Sequence, residues 1–180
     1  MVVSSWLQTA YVNVCTFGGA AIDCQIKTKG IDISGGEYDF KSEPNLAGGR
    51  MVVPTPESDF EVTLDDIYFS TADFDALMLA TVTAGAAYDS KFAARKLMRC
   101  VITFTPTAIT TALDAITGEG YRMTFTNGYV TGFTKKFESD TGVLIGTLKM
   151  KFPIRNAAGT TGNVTVEYSA TTLSAISAYA

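Results

Sequence analysis

The stretch SGGEYDFKSEPNLAGGRMVVPTPESD, Ser34 to Asp59, decides how the rest of the chain is read. Gly35-Gly36, Pro44, Gly48-Gly49, Pro54 and Pro56 break regular continuation. Tyr38, Phe40, Leu46, Met51, Val52 and Val53 are nevertheless too apolar for a solvated linker. A long irregular loop in a compact domain is functional or disordered, and this composition argues against disorder. The stretch therefore reads as an arm, neither strand nor helix, that packs on another subunit, with Arg50 among its contact residues.

Strands bracket it. Ile22, Cys24 and Ile26 alternate with Asp23, Gln25 and Lys27, and FEVTLDDIYF puts Phe60, Val62 and Leu64 opposite Glu61, Thr63 and Asp65, the period of half-buried strands. Ser70-Thr71-Ala72-Asp73 is a capping signature, and Phe74, Leu77, Met78 and Val82 follow at helical spacing. One amphipathic helix is expected over about 71–84. From Leu97 to Thr105 period two returns, with Met98, Cys100, Ile102 and Phe104 on one side and Pro106 as the stop. Tyr121–Thr126 and Tyr129–Phe137 flank Asn127-Gly128, a strong hairpin signal. Ser139 to Gly142 turns into Val143–Phe152, with Leu144, Leu148, Met150 and Phe152 inward and Lys149 and Lys151 facing water. Val164, Val166 and Tyr168 share a face of the last strand. The expected fold is mainly β, an antiparallel sandwich or barrel with one helix, forming a single domain over 1–180 with its arm at 34–59.

Composition narrows the function. Of 180 residues, 47% are hydrophobic and 18% charged, against roughly 25% charged in an average soluble protein. That deficit suits a surface partly covered by copies of itself. A net charge of -4 offers no overall basic field for gripping nucleic acid. The chain has no histidine, which removes serine triads, cysteine–histidine dyads and histidine metal sites together. Cys15, Cys24 and Cys100 form neither a disulfide framework nor a zinc pattern and read as buried thiols. The first basic residue is Lys27, so no secretory leader is expected. The apolar run Ala76–Tyr88 falls short of the ~20 residues that cross a bilayer, so no membrane insertion is expected.

Asp73 and Asp75, two apart at a helix start, suit capping and the helix dipole better than a metal. Asp65 and Asp66 are strand neighbours facing opposite sides. Gly118-Glu119-Gly120 and Gly159 to Gly162 lack the residues that make phosphate cradles and read as turns. No catalytic, metal or cofactor site is expected. The stripe Glu61, Thr63, Asp65 fits a channel lining and an outer solvated face alike. Lys91, Arg95, Lys96 and Arg99 make the densest basic patch. With only Phe92 interleaved, it favours acidic residues of a neighbouring subunit over DNA. Trp6, Leu7, Tyr11, Val12 and Val14 form an apolar segment that fits packing on its own core and on a neighbour alike.

With that order in place, GIDISGGEYDFKSEPNLAGGR feeding into PESDFEVTLDDIYFSTADFDAL, together with the closing GNVTVEYSATTLSAISAY, resembles the tail tube proteins of tailed phages and archaeal tailed viruses. Contractile injection systems share that tube-forming fold. The resemblance implies hexameric rings whose inner strands join into a β-barrel channel, stacked as a conduit for DNA, with no enzymatic activity. It implies a place in the virion tail, assembly in the host cytoplasm, and as partners further copies, tape measure, baseplate or tip, terminator and, if the tail contracts, sheath. DNA would touch the lumen only transiently and without sequence preference. Two alternatives stand beside it: another virion or injection-system part, such as a terminator, decoration protein or injection tube, and a monomeric β-sandwich module for a receptor or carbohydrate.

Overall fold

A computed structural model of the protein describes residues 9–17, 21–24, 30–37, 40–44, 48–54, 58–68, 97–140 and 143–180. Its strands are β1 (Ala10–Thr16), β2 (Ala21–Cys24), β3 (Gly30–Ser34), β4 (Phe40–Pro44), β5 (Arg50–Pro54), β6 (Phe60–Tyr68), β7 (Met98–Phe104), β8 (Ile116–Thr117), β9 (Gly120–Glu138), β10 (Val143–Phe152), β11 (Val164–Ser169) and β12 (Thr172–Leu173). The expected mainly β, antiparallel architecture holds. The helix expected over 71–84 lies outside the described residues.

The main sheet runs β2-β1-β7-β9-β10-β6-β3, with β11 also on β9. Six strand spacings of about 4.8 Å would hold the outermost strands about 29 Å apart in a flat sheet. Cys24 ends one of those strands and Gly30 begins the other, and six residue steps span at most about 22 Å. The sheet must therefore curl. Its core shows the same thing: Val12 and Val14 of β1 join Val62 and Leu64 of β6 in one buried cluster with Met98, Cys100, Ile102, Phe125, Leu148, Met150 and Phe152. The strands sit far apart in the sheet order yet share one interior.

β9 makes the curl possible. Its first half pairs with β7 on one edge and β11 on the other, and its second half pairs with β10. Asn163 N–H donates to the Ile154 carbonyl (2.8 Å) and Thr126 N–H to the Asn163 carbonyl (2.8 Å). Residues 153–163 are thus a short excursion between β10 and β11, which follow one another along one edge of β9. The hairpin expected at Asn127-Gly128 is not there. Asn127 adopts the left-handed conformation (φ 57°) inside a continuous strand. Across from it, the β7 register skips between Met98↔Gly128 and Cys100↔Phe125, so the extra residue is a bulge that bends the strand. Gly128 lets the bend close: a Cβ there would collide with the Phe152 ring and meet the Lys151 carbonyl oxygen at 2.8 Å.

A second bulge sits in β6, where Asp66 has φ 48° and the β10 register slips between Gly146↔Ile67 and Leu148↔Leu64. Val62, Leu64 and Ile67 are buried as a result, and the alternation read from FEVTLDDIYF breaks at Asp66. Val12 and Val14 settle where the amino-terminal strand packs, since both lie in the chain's own core; Trp6 and Leu7 lie outside the described residues. Cys15 and Cys100 are buried cysteines outside any disulfide. Burial pushes the Cys15 thiol upward, and the cross-strand Arg99 guanidinium opposes that shift.

Candidate assembly interface

The arm is a β-hairpin, which corrects the irregular loop expected from its glycines and prolines. β4 pairs with β5 from Phe40↔Pro54 to Pro44↔Arg50, and below it β3 pairs with β6 up to Ser34↔Glu61. Between the two pairs, Gly36 N–H donates to the Ser58 carbonyl (3.0 Å) and Ser58 N–H to the Glu37 carbonyl (3.2 Å). The β3–β6 pairing thus carries on past Ser34 toward the arm. Gly35 (φ 99°) and Gly36 (φ 75°) shape its base, where a Cβ on Gly35 would meet the Asp59 backbone and one on Gly36 the Phe60 ring. Pro44 and Pro54 stand at strand ends, where a missing N–H costs little.

Among the described residues β4 and β5 pair only with each other. Met51 and Val52 are neighbours on one strand and so point to opposite faces, yet they are 55% and 64% exposed. Neither face of the hairpin is covered at that point. Arg50 is exposed beside them, Phe40 and Val53 hold register positions in the ribbon, and Tyr38 and Leu46 lie outside the described residues.

The other surface is the half-sheet β9-β10-β6-β3. Among the described residues no strand pairs with the free edge of β3, or with the edge of β9 over 129–138 that faces away from β10. Glu61, Thr63 and Asp65 stand together on the face turned from the core, between Val62 and Leu64, which are fully buried. Across the register they meet Asp32 and Ser34 of β3 and Lys149 and Lys151 of β10. Lys151 Nζ lies 3.8 Å from an Asp59 carboxylate oxygen and 3.9 Å from one of Glu61. The stripe is polar and of mixed sign, with Lys151 shared between two acids. Among the described residues no group of three or more His, Cys, Asp or Glu could hold a metal ion.

No protein-family model matches the chain, and no curated protein matches its sequence. Its fold is similar to solved structures of injection particles. One is a chain of the sheath–tube complex of the extracellular contractile injection system PVC in the extended state: TM-score 0.47, 15% identity, 88% of each chain covered. Another is the anti-feeding prophage tube-terminating cap: TM-score 0.46, 12% identity, 94% of this chain and 93% of that one. Hcp1 from Flavobacterium johnsoniae is similar at a TM-score of 0.36 and 11% identity, over 91% of this chain and 98% of that one. The likenesses are loose in sequence and in shape.

Arg99 does not belong to a surface patch. It is 4% exposed, donates from Nη1 to the Ser177 carbonyl (2.8 Å) and lies 5.3 Å from the centre of the Tyr179 ring. Lys91, Arg95 and Lys96 lie outside the described residues. The carboxy-terminal segment folds back over the outer face of β1, β7 and β9, and that contact takes Arg99 inside.

Arg122, which the sequence reading passed over, is the largest fully buried side chain. It donates from Nε to Thr103 Oγ1 (3.1 Å) and from its terminal nitrogens to the Ser174 and Asp114 carbonyls. Burial lowers its pKa, against the pull of Glu167 and Asp114. The Asp114 carboxylate is itself held below its usual range, chiefly by the Thr111 backbone N–H. Tyr179 Oη accepts from Asn127 N–H (3.1 Å) and donates to Asn127 Oδ1 (2.8 Å), so the tail is fastened at the β9 bulge.

Proposed function

We propose that the chain is a structural subunit that joins edge to edge into rings and stacks, through its arm, into a tube for DNA passage. The observation that carries the reading is the four-stranded half-sheet, whose two edges carry no further strand among the described residues. Its strands alternate in direction, so in copies related by rotation about an axis β3 of one and β9 of the next run antiparallel. The junction continues the sheet. The five strands β2-β1-β7-β9-β11 are odd in number, and the same operation would set their outer strands parallel. Joining open edges also removes the aggregation hazard they present.

The rest of the subunit packs on the other face of the half-sheet, so closure turns Glu61, Thr63 and Asp65 toward the axis. Barrels of about sixteen strands or more enclose an aqueous channel, which four such subunits would reach; the sequence resemblance implies six. The role is passive and non-enzymatic, with other tail proteins as partners and DNA sliding through. Acids on the wall repel phosphates, and Lys151 is engaged by Asp59 and Glu61. The exposed Tyr129, Phe137 and Tyr168 side chains support the second reading, a ligand-binding module, which would be monomeric.

Replacing Glu61 and Asp65 together by lysine tests the bore. Tubes should still form, because isolated surface charges contribute about 1 kcal/mol or less. DNA delivery by particles carrying the double variant should fall and recover at high salt, since phosphate neutralisation makes the wall adhesive and salt weakens it. Normal delivery through normal tubes would overturn this assignment of the stripe.

A further inference from the structure

We infer that the tip of the arm docks on the β9–β10 turn, around Phe137, of a copy in the next layer. The inference rests on the tube reading and adds the receiving surface. The arm leaves the half-sheet at the end where Ser34, Glu61, Lys151 and Tyr129 lie in register. The β9–β10 turn closes the opposite end, beyond Glu138↔Val143. Layers of like polarity bring one end of each subunit against the other end of the next, a heterologous contact that repeats without limit.

Both ends expose large apolar side chains that such a contact would cover. Phe137 is 65% exposed, against 64% for Val52 and 55% for Met51. The charges suit one another as well. Exposed Arg50 adjoins Met51, while Glu138 and Asp140 follow Phe137, and Glu138 has Lys136 as its own partner at 3.5 Å. The competing apolar surface, Val166 and Tyr168 of β11, is 52% and 59% exposed. It lies past the arm end of β10, on the side from which the arm itself departs, so layers of like polarity would not bring it to the arm tip.

The test uses the whole chain as Val52→Asp, Phe137→Asp, the pair Val52→Cys with Phe137→Cys and each single cysteine, examined by negative-stain microscopy and non-reducing gels. Both aspartates fall at exposed sites, so folding checked by circular dichroism should match the parent. Each aspartate variant should form rings while the mass in tubes falls at least about tenfold. The cysteine pair should give a ladder of linked copies on mild oxidation, whereas either single cysteine should stop at dimers. Long tubes with Phe137→Asp, or parent-like tubes from the cysteine pair without a ladder, would overturn the docking and leave the ring reading intact. A parent chain that forms no rings would overturn both.

Discussion

Removing the hairpin between Gly36 and Pro54 and joining its ends by a tight turn is expected to abolish tubes while leaving rings and the fold. Among the described residues the hairpin pairs only with itself, and the buried cluster draws on none of those described in it. Loop closure at its base changes stability only slowly with length. The β3–β6 pair below it keeps its own register and the Gly36–Ser58 bond. The thermal midpoint should therefore move by a few degrees at most, while microscopy shows rings without stacks. Global unfolding would make the arm part of the core, and undiminished tubes would remove its role in stacking.

A large loss of stability is expected from Gly128→Ala. The added Cβ would strike the Phe152 ring, which is fully buried, and press on the Lys151 carbonyl. Backbone and ring cannot both give way in a packed core, so a loss of about 3 kcal/mol or more is expected. That corresponds to a fall in melting temperature on the order of 10 °C for a chain of this size. Gly132→Ala in the same strand is the internal control. Its Cβ would meet Lys149 atoms at an ordinary 3.7 Å, and the unfolded chain would lose freedom. Its midpoint should stay or rise slightly. Equal losses in the two variants would mean that the close approach at the bulge is not what limits Gly128.

Alternation carried much of the fold in the sequence. Val62 and Leu64, and Met98, Cys100 and Ile102, lie inside as the period-two pattern requires. The same pattern could not reveal that Asn13, Val101 and Thr103 are buried too, because the layer over that face comes from distant residues of the chain. Asn-Gly reports a left-handed backbone. Whether that backbone makes a turn or a bulge depends on the strands beside it, and here β7, β10 and β11 keep β9 continuous. The arm misled for a related reason: glycines and prolines marked the limits of a ribbon that they do not interrupt. Arg99 followed basic neighbours in sequence, and nothing in SAISAYA signals that this tail folds back to take its guanidinium. The polar stripe was legible as a stripe, but its relation to two open edges depends on pairing across the sheet.

The central claim, that rings close through β3 and the second half of β9, is tested most directly by amide hydrogen exchange on the intact chain before and after assembly. Outward-pointing amides of residues 30–34 and 129–138 should exchange freely in the monomer and become protected together in the ring, while those of β7, already paired on both edges, change little. Rings in which both edges still exchange as fast as in the monomer, or a chain that stays monomeric at high concentration, would contradict the account.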